Sequence, residues 1–280
     1  MNKLIINADD FGLCESVNDS IIDCFVQKNI TSATLMVNML STIHALELAI
    51  KFKLPIGLHF NLVRGKSLTG VSTLTDQDKN FFSRRELFKR ILKKKINPND
   101  IRAEFLAQLN FCADKNIDFT HFDSDNHTHF NPFIIKSLEK IIISKQIKLR
   151  NLNPLKFSNP IFNLSRFFKQ TYFKSINLFF WKKNFLSNNF ITSIYDLDST
   201  KKINKKSYLD LIKTNYKNIT LELMVHPYKQ SKELNKFYKT NKEIEFVNNC
   251  INEHAILSSE YDIFSKSNYY LSNFKDLISL

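Results

Sequence analysis

Two hydrophobic periods alternate along the first 150 residues, and that alternation limits the fold more than any single motif does. "KLIIN" (3–7) is a short apolar run ending in "ADDFG", and "SVNDSIIDCFVQKN" then sets Val17, Ile21, Ile22, Phe25 and Val26 at helical spacing. "TSATLMVN" reads as a strand, "TIHALELAIKF" as a helix and "PIGLHFNL" as the next strand. After a longer insertion holding the basic amphipathic "RRELFKRILKKK", "NPNDIRAEFLAQLNFCADKN" carries Pro98 and Asn99 near a helix start. "FTHFDSD" (strand), "PFIIKSLEKIIISKQ" (helix) and "IKLRNL" (strand) follow. Such βα repeats need a parallel sheet, because each helix carries the chain back to start the next strand in the same direction.

Past Pro154 the rhythm blurs until "ITSIYDL", "SYLDLIKTNYKN" and the strand "ITLELMVHP"; the tail from Asn241 reads as one helix and a short irregular end. About seven units in 280 residues predict an α/β fold: a distorted TIM-like (β/α) barrel, complete or incomplete, forming a single domain over 1–280. The stretch 157–190 is the exception. It is crowded with phenylalanine and lysine, holds the only tryptophan and shows no strand pattern, so it reads as an insertion. Core packing and a lid over a pocket both fit it, and so does a basic aromatic face resting on a membrane.

Polar residues fall where the apolar strands end. Asp9 and Asp10 follow the first run, His59 ends the third, the row from Asp123 to His129 ends a middle strand, and His226 ends a late one. In a parallel barrel those ends converge on one face, where sites form. Each piece has a simpler explanation alone: an aspartate before a helix caps it, and a lone strand-end histidine is usually a hydrogen-bonded structural group. Pro227 holds His226 extended, which aims a ring or merely ends a strand.

"HFDSDNHTHFNP" (121–132) is the densest of these stretches. Taken as extended, it points Asp123, Asp125, His127 and His129 to one side, about 6.7 Å apart in sequence order. A single metal with bonds of about 2.0–2.2 Å reaches two such neighbours but not four. The others are left to contact substrate, orient ligands or move protons. Asp10 and His59 would complete a small oxygen and nitrogen site with open positions, as catalytic metals need.

The chain resembles the YdjC-like carbohydrate deacetylases. The resemblance rests on "NADDFGL" (7–13), "TSATLMVN" (31–38), "GLHFNL" (57–62), "THFDSDNHTH" (120–129) and "ELMVHPY" (222–228), in order and across most of the chain. It implies a distorted (β/α) barrel that removes acetyl groups from N-acetylated sugars or glycans with a divalent metal. By the same resemblance Asp10, His59 and the residue at 125 are ligands, Asp9 is the general base and His226 the acid. Many members carry histidine at 125, whereas this chain has Asp125 followed by Asn126. A carboxylate there makes a harder site and favours magnesium, with zinc and manganese as alternatives. Otherwise His127 enters the first rank of ligands and Asp125 orients it, or the site has lost its chemistry and the protein only binds carbohydrate.

His129, Asp123, Arg150 and Tyr228 remain for substrate or for supporting the ligands: Arg150 paired with Asp9 or facing solvent, Tyr228 stacked on a sugar, Phe11 packed in the barrel. The formal charge of +13 comes with a global excess of lysine and no recognised nucleic-acid motif, so no nucleic-acid partner is expected. No leader pattern, no apolar run of about 18 residues and no cysteine pairing occur, which predicts a cytoplasmic protein. A peripheral place at the inner membrane surface through 157–190, suited to a lipid-linked glycan, and a homo-oligomer are both compatible with the chain.

Overall fold

In the computed structural model, residues 1–113, 117–161, 163–181, 185–197 and 203–277 are described. The first half obeys the predicted alternation: β1 (Asn2–Phe11), α1 (Glu15–Val26), β2 (Ser32–Leu35), α2 (Thr42–Phe52) and β3 (Ile56–Phe60). The insertion carries α3 (Arg84–Leu92), and α4 (Pro98–Leu109), β4 (Phe122–Ser124) and α5 (Pro132–Ser144) resume the pattern. Then come α6 (Leu164–Phe180), β5 (Phe190–Thr192), α7 (Lys205–Leu211), β6 (Thr220–Val225), α8 (Asn241–Ser259) and β7 (Tyr269–Ser272). Helix starts are where side chains can cap them: Asn97 accepts from Asn99 N, Asn131 from Phe133 N, and Thr240 shares a reciprocal box with Glu243.

Every pairing between these strands is parallel, in the order β4-β3-β2-β1-β6-β5. The sheet curls into a half-barrel. Isolated parallel bridges lie beyond its edges, Phe122 to Leu149, Leu149 to Ser187 and Pro154 to Ile191, so the strand expected at "IKLRNL" is reduced to a single bridging residue. The tail is less irregular than expected. β7 pairs with Asn2–Ile5 of β1, beside the half of β1 that β2 leaves free.

Alternation along β1 separates two interiors. Leu4, Ile6 and Ala8 join the large apolar cluster with helix residues such as Val17, Ile21 and Leu46. Asn7 and Asp9 instead enter a hydrogen-bonded network with Ser32 and Thr34 on β2. Gly57 on β3 is required by close approach: a Cβ there would stand 2.5 Å from the His121 ring and 2.9 Å from its carbonyl. His121 itself stacks on Phe274 at 3.6 Å and 8°, turned into packing rather than toward a site.

The stretch 157–190 is largely helical among its described residues. Its helix α6 buries Phe173 and Ile176 against Phe130, Leu152, Ile191 and Met224. Asn163 caps it by accepting from Arg166 N.

Candidate active site

A bulge brings the paired aspartates into one place. Between Ala8 and Phe11 the register of β1 against β2 slips by a residue, and Asp10 takes a left-handed φ of 66°. Regular pleating would send adjacent side chains to opposite faces; the bulge turns both carboxylates toward the same cavity. They end β1 rather than follow it. Gly12 helps by adopting φ 95° where a Cβ would meet the Met36 carbonyl at 2.7 Å.

Asp9 and Asp10 nonetheless have different partners. Arg150 is fully buried and forks onto Asp9, its Nη1 2.7 Å from Oδ2 and its Nη2 2.6 Å from Oδ1. The same guanidinium reaches Asp123 at 2.6 Å and donates from Nε to Glu222 at 2.7 Å. A solvent-facing Arg150 is thereby excluded. Burial pushes the Asp9 carboxyl up, but Arg150 outweighs it and holds the pKa at about 2. Glu222, sharing that cation with two other carboxylates in a buried place, is pushed up to about 7.

Asp10 lacks such a clamp. It accepts a hydrogen bond from the Tyr228 hydroxyl, and its Oδ1 lies 3.5 Å from His59 Nε2. His59 is fixed from behind. Strand register sets it beside Asp123, and its Nδ1 donates to Asp123 Oδ1 at 2.7 Å. That bond fixes the ring orientation and leaves Nε2 facing Asp10. Burial opposes a charge on His59, yet Asp123 and Asp10 together raise its pKa well above the ordinary value.

Asp10, His59 and Asp125 each place one donor atom within 4.8 Å of the others, and all three are buried. This group could hold a metal ion: two carboxylates and one imidazole, whose Nε2 would give up its proton to a cation, are a chemically reasonable donor set. A second grouping, Asp9, His59 and Asp123, has the same spacing, but both of its carboxylates are already ion-paired to Arg150. Arg64 Nε also stands 2.8 Å from Asp125 Oδ2. Asn61 holds the Arg64 turn by accepting from Val63 N and Arg64 N.

The extended row expected at 121–129 does not form. β4 stops at Ser124, and 125–130 is a tight turn in which Asn126 and His127 adopt left-handed φ of 55° and 56°. Period two therefore fails after Ser124, and the four side chains scatter. Asp123 meets Arg150, and Asp125 joins the donor group. His127 enters neither donor group; it lies in the cavity wall, edge-on to Phe173 at 5.7 Å, with a buried Nδ1 lacking a partner. His129 leaves the cavity altogether: its Nδ1 lies 2.5 Å from Ser124 Oγ, and its Nε2 donates to the Arg150 carbonyl at 3.1 Å. It steadies the turn and the segment bearing Arg150.

His226 completes the inner site. Its Nε2 is 3.7 Å from Asp9 Oδ2, and its backbone N–H donates to the buried Glu253 at 2.6 Å. Burial lowers the imidazole pKa, with Asp9 offsetting only part of the effect, so the ring is neutral at pH 7. Tyr228 does not stack in the cavity as expected. It is fully buried, with its hydroxyl committed to Asp10 and 3.1 Å from the Tyr238 hydroxyl. Tyr195, Tyr238 and Phe246 supply the aromatic wall instead. Phe11 packs in the core.

The resulting cavity of about 340 Å³ has room for a sugar residue. Arg64, Arg166 and Lys169 line it as well, and sequence reasoning did not single them out. Arg166 is tied to Asp196, at 2.8 Å. Burial and the neighbouring Arg166 push Lys169 down to about 7. Glu222 was missed too, although a lone carboxylate inside the apolar "ITLELMV" is a visible signal of a buried partner.

A sequence profile described as YdjC-like protein matches residues 3–262. A protein named carbohydrate deacetylase from Clostridium beijerinckii is 29% identical over 278 residues, covering 98% of this chain and 100% of that protein. A chitooligosaccharide deacetylase from Yersinia enterocolitica is 37% identical over 149 residues, 52% of this chain and 58% of the relative. Among solved structures, an Enterococcus faecalis protein described as a cellobiose-phosphate cleavage protein superposes with a TM-score of 0.76 over 100% of both chains, at 22% identity. That likeness concerns the fold.

Proposed function

The chain belongs to the YdjC-like family, and from that premise we propose that it is a metal-dependent carbohydrate deacetylase, releasing acetate from an N-acetylated sugar or glycan. The names of its relatives support the substrate class, and the observation that carries the reading is the Asp10, His59 and Asp125 group beside the Asp9 and His226 pair in one cavity. Asp10, His59 and Asp125 would hold a divalent cation. Two carboxylates favour magnesium or manganese over zinc, and we take magnesium as the first choice. Such a cation, when bound, makes a water easier to deprotonate and an amide carbonyl more electrophilic.

The remaining steps fall to the chain's own residues. Arg150 fixes both oxygens of Asp9, leaving the carboxylate ionised and aimed into the cavity. Asp9 accepts the proton of the attacking water as the new C–O bond forms. Arg150 disfavours protonated Asp9, so the proton passes on to the neutral His226, whose Nε2 lies 3.7 Å away. The imidazolium then protonates the departing amine as the C–N bond breaks, and the proton count closes. Tyr195, Tyr238 and Phe246 offer apolar faces to the sugar ring.

The test is acetate release from a panel of N-acetylated mono- and oligosaccharides, with and without a chelator. No release from any member, or release indifferent to both chelation and His59→Ala, refutes the reading. Arg64 beside Asp125 favours one rival: its guanidinium takes the cation's place, and the protein binds carbohydrate without hydrolysing it. Metal content of the purified protein separates the two, since the rival requires none.

A further inference from the structure

The outer face of α6 is apolar where a surface helix is ordinarily polar. Leu164, Phe168 and Tyr172 are exposed at four-residue spacing, and Phe179 continues the same stripe with Leu178 beside it. Phe168, Leu178 and Phe179 are 62%, 73% and 75% accessible, too open to be core residues of this chain. Ile161, just before the helix, is 84% accessible and extends the patch. Large apolar side chains exposed together on one helix face, with the small Thr171 and Ser175 among them, mark an interaction surface.

Charge identifies its occupant. Between Glu139 and Asp196 the sequence contains no acidic residue, and apart from Arg150, Arg166 and Lys169, which are buried or face the cavity, seven lysines fall there. Of these, Lys174 is exposed at the flank of the stripe. The basic helix α3 lies near enough to the stripe for the charge of its Arg84 to reach Tyr172, and the exposed Arg85 and Lys89 stand with it around Phe88. A second copy of the chain would bring one such basic face against another, and a nucleic acid would leave the apolar stripe without purpose. A bilayer with anionic headgroups satisfies both, taking the apolar side chains below the headgroups and the cations among them.

We infer that the exposed stripe of α6, with the basic end of α3, docks the protein on an anionic lipid surface. The inner face of α6 supplies Asn163, Arg166 and Lys169 to the cavity wall, so docking sets that cavity next to the membrane. The inference goes beyond the deacetylase reading and stands without it.

Flotation of the full chain with vesicles tests it. Vesicles of phosphatidylcholine containing phosphatidylglycerol should carry the protein at least about tenfold better than phosphatidylcholine alone, with loss at high salt. A Phe168→Glu, Leu178→Glu, Phe179→Glu variant should lose about tenfold of that binding while keeping its melting temperature, since all three side chains are exposed. Should that variant fold poorly, Arg85→Glu with Lys174→Glu should remove the preference for phosphatidylglycerol alone. Three results overturn the inference: no flotation with anionic vesicles, flotation that none of these substitutions changes, or lipid-free self-association that the triple substitution abolishes. The last would make a second copy the occupant.

Discussion

Arg150→Met is expected to be among the most damaging single substitutions in this chain, with a pH dependence that identifies the cause. Arg150 is wholly buried, and its one charge answers Asp9, Asp123 and Glu222 at 2.6–2.7 Å. Methionine fills much of the volume but leaves three carboxylates without a cation. Breaking a buried ion cluster from one side costs about 3–5 kcal/mol. Asp9 alone accounts for about 2 kcal/mol, because its pKa falls from 3.8 to about 2 on folding. The sign follows from that direction: the Asp9 contribution is complete above its unfolded value of 3.8 and is lost as pH falls through about 2. In the variant the same carboxyls are buried without a partner, so their folded values rise and the variant loses stability as pH increases. Urea denaturation at about pH 8 should therefore show the full deficit, and the gap to the parent should narrow by about 2 kcal/mol near pH 5. Arg150→Lys, which keeps the charge but not the fork, should fall between them. A deficit under about 1 kcal/mol, equal at both pH values, would refute the electrostatic account.

Three further outcomes bear on the site. Asp9→Asn should lower deacetylase turnover by about 10²–10⁴ with divalent-metal binding intact; full activity would remove Asp9 from the proton path. Asp123→Asn weakens the bond that orients His59 and should reduce metal affinity about 10–100-fold by calorimetric titration, whereas unchanged affinity would mean that His59 needs no such support. Gly57→Ala drives a methyl into the His121 ring and carbonyl and should cost about 1–3 kcal/mol in thermal denaturation, with a neutral result showing that β3 and β4 can spread apart.

Much of the scaffold was readable because helices and strands announce themselves by period. "TIHALELAIKF" is α2 from first residue to last, and α1, α4 and α5 lie where apolar spacing placed them. α6 was not readable. Phenylalanine and lysine are frequent throughout the chain, and an apolar stripe facing solvent blurs the period that marks a buried face. β7 was missed for another reason: only the free edge of β1 makes four residues of mixed burial a strand. The site divides in the same manner. That Asp9, Asp10, His59 and His226 gather follows from their positions at the ends of apolar runs. The scattering of the 121–129 row does not, because two left-handed residues after Ser124 ended the period on which the sequence argument relied.

The sequence by itself determined the βα order, the parallel sheet and the strand ends at which polar groups collect, since each depends on patterns within about ten residues. Tertiary structure decided what those groups are to one another. The β1 bulge turned both aspartates inward, Arg150 claimed Asp9 and left Asp10 facing His59, and Tyr228 was withdrawn from the cavity into a bond with Asp10. These outcomes join residues as far apart as Asp9 and Arg150 or Asp10 and Tyr228. No local period encodes such pairings, which arise only when buried charges must find partners as the sheet curls.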